Sequence, residues 1–200
     1  MKQKFNIQDD PYVYPGTSIL RNLAEIRGAE RLERFESDQC FARLLELYEN
    51  PLPLGFDLNH LKRIHHHLFQ DVYAWAGEFR TVNMAKGNSF FARPEFIIPQ
   101  LQKALDRLGS EHFLRGMDSQ GFCERAAYFL GEMNAIHPFR EGNGRVQREF
   151  LRELALKAGY ELAWDLVSKE EMLAASVASF QEGSSAGLAR LLKKIIRPVR

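Results

Sequence analysis

Apolar residues recur along most of the chain at steps of three and four, the spacing of a helix that buries one face. The clearest run follows Asp57, a good N-cap. It passes through Leu58, Leu61, Ile64, Leu68, Val72 and Trp75 before Gly77 closes it, which predicts one long amphipathic helix. Pro11 and Pro15 make the first stretch an extended lead-in. A helix over Ser18 to Arg27 would end at Gly28, and one over Ala29 to Tyr48 would end ahead of Pro51 and Pro53. Pro94 fits the first turn of a helix reaching Leu108, although Pro99 works against its continuity, and another helix is expected from Ser119 to about Ile136. Ser168 and Glu171 form a capping-box pattern ahead of a helix reaching Phe180, and Leu188 to Ile196 reads as a helix with a basic end. The expected fold is all-α and compact. With no internal repeat and no low-complexity linker, residues 1–200 read as a single domain.

One stretch departs from the helical period. From Val82 to Phe91, Gly87 and Asn88 sit between two short segments, Val82 to Lys86 and Ser89 to Phe91, the pattern of a hairpin with a two-residue turn. A strand edge offers unpaired N–H and C=O groups that capture an extended peptide as an added strand. Lys86, Gly87, Asn88, Ser89 and Phe90 are therefore candidates for docking a segment of another protein, the alternative being a plain connection.

Composition narrows the classes. Hydrophobic residues at 45% and charged residues at 26% exclude disordered, collagen-like and membrane-spanning chains. The 27 Lys and Arg against 26 Asp and Glu leave no broad basic field for a phosphate backbone, so nucleic acid is not an expected partner, and no apolar run approaches a membrane helix. Cys40 and Cys123 make neither a disulfide framework nor a CxxC site, and Met1 to Asp10 lacks the apolar run of a signal peptide; a reducing, cytoplasmic setting is expected. His60, His65, His66 and His67 share one helix but diverge around it. His65 falls in the apolar sector, His66 nearly opposite, and His60 and His67 on one flank with no accompanying carboxylate pattern, so a structural role is expected in place of a metal site. Trp75 and Trp164 are expected in the core.

The chemistry concentrates between two predicted helices, in His137-Pro138-Phe139-Arg140-Glu141-Gly142-Asn143-Gly144-Arg145-Val146-Gln147-Arg148. Pro138 ends the preceding helix, and Gly142 and Gly144 permit backbone conformations that aim successive N–H groups at one anion. The next helix begins there, and its N-terminal N–H groups and positive dipole end favour a di- or triphosphate. On it, Val146, Phe150, Leu151, Leu154 and Ala158 share the buried side, and Arg145, Arg148 and Arg152 share the opposite one. Guanidinium forks at Arg145 and Arg148 are placed to hold outer phosphate oxygens, Arg152 lying a turn further on. Glu141 is a single carboxylate suited to Mg²⁺, which takes one or two carboxylates together with phosphates and waters. His137, an imidazole with an ordinary pKa of about 6.5, is the candidate general base. A bare Gly-Asn-Gly turn would need no histidine, carboxylate or paired arginines at these offsets.

The segment from His137 to Arg148 resembles, at every defined position, the HxFx(D/E)GNGRxxR signature of Fic-domain proteins. The resemblance extends to Asp10 through Gly16 and to Tyr73-Ala74-Trp75-Ala76-Gly77, which are similar to segments of the family's compact bacterial toxins and secreted effectors. It implies a helical Fic fold with a small β-hairpin flap at about 82–92 that docks the target. It also implies adenylylation, the transfer of AMP from ATP to a hydroxyl side chain of a target protein. In that reading His137 is the general base, Glu141 the Mg²⁺ ligand, Gly142, Asn143 and Gly144 the anion hole, Arg145 and Arg148 the outer-phosphate ligands, and Phe139 a structural anchor. The acceptor it implies is a Tyr, Ser or Thr hydroxyl, on DNA gyrase or topoisomerase IV for intracellular relatives and on small GTPases for secreted ones. The family is commonly restrained by a helix carrying (S/T)xxxE(G/N); here Ser179-Phe180-Gln181-Glu182-Gly183 comes nearest, with the wrong offset. A separate antitoxin chain carrying that helix is therefore expected, which makes this chain the toxin of a pair. The alternatives are a related transferase moving phosphate, UMP or phosphocholine, a host-directed secreted effector, and a helical binding module with a vestigial motif.

Overall fold

The computed structural model describes residues 10–86 and 89–199. Among them run seven α-helices: α1 (Ala29–Glu49), α2 (Leu58–Phe69), α3 (Pro94–Ser110), α4 (Ser119–Ile136), α5 (Asn143–Ala158), α6 (Lys169–Glu182) and α7 (Ala186–Ile195). Two short antiparallel pairs complete the fold. Strand β1 (Ala85–Lys86) pairs with β2 (Ser89–Phe90), Ala85 opposite Phe90, and β3 (Tyr160–Leu162) pairs with β4 (Ile196–Pro198), Glu161 opposite Arg197. The helical class with a small hairpin is as expected. The second pair is too short to leave an alternating pattern in the sequence.

Helix α4 is the hub, packed against α3, α5, α6 and α7. Its Ala126 and Ala127 let neighbours approach closely, while Phe122, Phe129, Leu130 and Met133 fill the space around them. The caps are those the sequence announces. Asp57 accepts from the His60 N–H at 2.7 Å, Asp118 from the Gly121 N–H at 2.7 Å, and Ser168 and Glu171 exchange both capping-box bonds.

Four expectations need correction. The helix over Ser18 to Arg27 does not form. The buried Asn22 side chain instead binds the local backbone, donating to the carbonyls of Leu20 (3.0 Å) and Ile26 (2.8 Å) and accepting from the Ile26 N–H (2.8 Å), so it offers the chain an alternative to helix. Helix α2 ends at Phe69, and Val72 and Trp75 reach the same side through successive turns, whose bonds run from Val72 to Phe69 and from Ala76 to Tyr73. Helix α3 continues through Pro99, which removes only the bond to the carbonyl of Glu95, an exposed residue in its first turn. The hairpin strands are shorter than expected, and the candidate residues Gly87 and Asn88 lie outside the described residues.

Candidate active site

The junction of α4 and α5 builds the site. His137 caps α4 with φ 50° and ψ 63°, a left-handed conformation uncommon for a residue with a side chain. Phe139 then buries its ring, and the loop closes on Asn143, whose Oδ1 accepts from the Phe139 N–H at 2.9 Å and whose Nδ2 donates to the Phe139 carbonyl at 2.7 Å. The Asn143 side chain is thereby committed to shaping the loop, and only its backbone N–H remains for an anion. Gly142 is the N-cap of α5 with φ 82°, and a Cβ on it would overlap the Phe69 ring. Gly144 departs from the expected nest: it lies in the first helical turn with no positive φ, and a Cβ there would meet only the Arg148 guanidinium at 3.6 Å. Its missing side chain keeps the approach to the first-turn N–H groups open.

A histidine that the sequence reading assigned to the apolar sector supports this loop. His65 is fully buried, stacked between Phe139 (4.0 Å between centroids) and Phe69 (4.7 Å). Its Nδ1 accepts from the Gly77 N–H at 2.7 Å, which leaves Nε2 as the donor to the Glu141 carbonyl at 3.1 Å. Burial lowers its pKa to about 3. The folded state therefore binds this proton less readily than the unfolded state, whose imidazole has the ordinary value of about 6.5. Stability from this group is fully present above that value and falls by about 1.4 kcal/mol per pH unit below it, down to the folded pKa. The expected result is an acid limb in thermal unfolding below about pH 6 that flattens in His65→Gln, since glutamine does not titrate; an unaltered acid limb in that variant would contradict it.

The arginines divide their partners. Arg145 donates to Glu36 of α1, lies over the Phe69 ring at 4.7 Å, and has Glu141 at 3.7 Å. Tyr73 donates to the other Glu36 oxygen, so the carboxylate is held from both sides. Burial is the largest influence on Arg145 and opposes its charge, but Glu36 together with Cys40 and Glu141 outweighs it and the pKa is raised. Arg148 makes no ion pair among the described residues, and burial together with Arg145 lowers its pKa. Both arginines border an open cavity of about 240 Å³ whose opposite wall is Ser37, Phe41 and Tyr48 of α1. Arg152 belongs to Glu149, bound at 2.8 and 2.6 Å. The side of α5 opposite its apolar stripe thus meets α1 only through long side chains, Arg145 to Glu36 and Arg152 over the Tyr48 ring, and stays partly exposed.

Glu141 Oε1 accepts from the Gly142 N–H at 2.9 Å. Burial first and the Glu36 charge second raise its pKa. Such a crowded carboxylate is a donor whose ionised form a divalent cation would stabilise.

Three positions escaped the sequence reading. Asp10 binds Arg140 through one oxygen at 2.8 and 3.1 Å, fastening the lead-in to the loop. His60 does have a carboxylate: its Nε2 lies 2.8 Å from Glu153 of α5, both buried, across 93 residues of sequence that no spacing rule bridges. Phe91, directly after β2, stacks on His137 at 3.9 Å and 11°. Strand β2 thus brings the flap to the histidine, with Phe90 exposed beside it.

A loop of N–H groups at a helix N-terminus, set between a histidine, a carboxylate and two arginines on a helical scaffold, has the chemistry of a site for a phosphate-bearing anion. Residues 55–155 match the Fic/DOC family model, and the chain belongs to that family. It is 43% identical over 96% of its length to the protein adenylyltransferase VbhT of Bartonella schoenbuchensis, of which it spans 40%. It is 40% identical over 96% of its length to a protein of Sinorhizobium fredii named a probable protein adenylyltransferase, of which it spans 99%. Among solved structures it resembles the BepC effector of Bartonella tribocorum with bound AMPPNP, with a TM-score of 0.88, 27% identity, and 94% and 97% of the two chains covered.

Proposed function

We infer that this chain is a protein adenylyltransferase, moving AMP from ATP to a hydroxyl side chain of a target protein. The observation that carries the reading is His137 capping α4 directly before a loop whose N-cap Gly142 opens α5, with the free first-turn N–H groups of that helix and Arg145 and Arg148 following on it. The backbone N–H groups of Asn143 and Gly144 hold phosphate oxygens, Gly142 lets the chain turn there, and Arg145 and Arg148 neutralise the outer phosphates. The target hydroxyl oxygen bonds to the α-phosphorus, the bond to the β-phosphate oxygen breaks, pyrophosphate leaves, and His137 takes the hydroxyl proton. Glu141 is the residue that would hold Mg²⁺. Bound there, the ion would add neutralising charge on the leaving pyrophosphate. The 85–90 hairpin aligns the target segment by main-chain pairing, and the Tyr, Ser or Thr hydroxyl enters beside Phe91. Incubation of the chain with ATP, Mg²⁺ and a bacterial lysate tests this: pyrophosphate release and a protein carrying one added AMP are expected. ATP consumption without a modified protein would contradict it.

We further assign the chain to the bacterial cytoplasm as the toxin of a toxin–antitoxin pair, with DNA gyrase or topoisomerase IV as the target. Arg145 has an internal counter-charge in Glu36 while Arg148 has none among the described residues, which supports a second chain that supplies one through a helix bearing (S/T)xxxE(G/N). Expression alone in bacteria should be toxic, and coexpression with the partner should suppress toxicity. Changing the partner's glutamate should release activity while the two chains still associate, as read by α-phosphate-labelled ATP on the purified complex. Equal labelling by the free chain and the complex would overturn the pairing.

A further inference from the structure

Arg80 is nearly fully buried, with no carboxylate paired to it among the described residues. Burial lowers its pKa to about 10, so it stays charged at neutral pH, and among the described residues its side-chain hydrogen bonds all go to carbonyl oxygens. Nε donates to the His137 carbonyl at 2.8 Å, and Nη2 to the Ile136 carbonyl at 3.1 Å. These are the last acceptors of α4, which no intrahelical donor reaches. The same guanidinium donates through Nη1 to the Val82 carbonyl at 2.6 Å and through Nη2 to the Ala92 carbonyl. Val82 and Ala92 are the two legs of the hairpin. The Arg80 N–H adds a bond to the Pro138 carbonyl at 2.9 Å, and the Ala92 N–H one to the Ala135 carbonyl at 3.3 Å.

The side chain of His137 is fixed from the same direction. The Phe91 ring lies parallel to the imidazole, and Phe180 of α6 abuts Phe91 edge-on at 5.8 Å and 77°. One cation therefore sets the backbone of the histidine and both legs of the flap, and the residue between a leg and the flap sets the plane of the imidazole.

We propose that Arg80 and Phe91 are positioning residues that hold His137 in register with the hairpin, so that the base meets a hydroxyl presented there. This rests on His137 being the general base. Among the described contacts of these two residues are neither the phosphate loop's N–H groups nor the two arginines, so their effect is expected on the transfer step and not on ATP binding. A lysine at position 80 supplies three donors from one atom and cannot span the four carbonyls that the planar fork reaches. A leucine at position 91 keeps apolar bulk but loses the flat face.

The test uses the full chain with α-phosphate-labelled ATP in a bacterial lysate, label transfer being followed at saturating ATP and ATP affinity by equilibrium binding. Phe91→Leu and Arg80→Lys are each expected to lose roughly ten- to a hundredfold in transfer rate with ATP affinity kept within about twofold. Phe91→Tyr, which retains the ring plane, is expected to recover most of the loss. The double variant His137→Ala with Phe91→Leu should transfer no more slowly than His137→Ala alone, because the ring acts only through the imidazole. Wild-type transfer in Phe91→Leu, or a further loss in the double variant, overturns the proposal. Because Arg80→Lys could fail by unfolding, the Phe91 variants decide the question. If His137→Ala itself transfers at the wild-type rate, the base assignment falls and this proposal with it. If His137→Ala is inactive while Phe91→Leu is wild-type, the positioning role alone falls.

Discussion

Replacing His137 with alanine is expected to slow AMP transfer by roughly 10²- to 10⁴-fold, the contribution of one positioned base, while leaving ATP affinity within about twofold. The division follows from where the side chain sits. His137 precedes the loop as the cap of α4, with its ring against Phe91 and the flap, whereas the groups placed for phosphate lie beyond it on α5. The left-handed backbone at residue 137 and the Arg80 bond to its carbonyl do not depend on the imidazole, so the loop keeps its shape in the variant. Transfer rates with α-phosphate-labelled ATP and equilibrium ATP binding check this together. Parallel loss of both would mean that His137 helps to hold the nucleotide.

Gly142→Ala is expected to be the more drastic change, because it damages fold and site at once. A side chain at φ 82° costs about 1–2 kcal/mol in backbone strain alone. The added Cβ would also enter the space of the Phe69 ring, which cannot retreat: Phe69 is fully buried, stacked on His65 and covered by the Arg145 guanidinium. Overpacking of this kind adds about 1–3 kcal/mol. Relief requires shifting either the loop or Phe69, and moving Phe69 displaces Arg145 with it. A lowered Tm accompanied by loss of ATP binding is therefore expected. A variant with unchanged Tm and ATP affinity would show that the loop is more pliable than this packing implies.

The residues of the phosphate loop were legible because their chemistry is local. Helix-ending proline, glycines, a helix start and two arginines one turn apart stand next to one another in the sequence, as do the caps at Asp57 and Ser168. What surrounds the loop was not legible, since it depends on pairs joined only in space. Glu36 meets Arg145 from α1, Asp10 meets Arg140 from the lead-in, and His65 reaches the Glu141 carbonyl from α2, each over more than 70 residues. Asn22 misled the helix reading for the opposite reason: its side-chain bonds are local, but apolar spacing does not register them. Gly144 reads in the sequence as a second special conformation, yet it lies in the first turn of α5 with room for a Cβ.

Whether this site transfers the nucleotidyl part of ATP to protein is decided by position-specific label. The chain is incubated with a bacterial lysate and ATP labelled at either the α- or the γ-phosphate, with His137→Ala in parallel. Label entering a protein band only from the α-position, and only with the unaltered chain, is the predicted result. Label entering from the γ-position, or from neither, would contradict it.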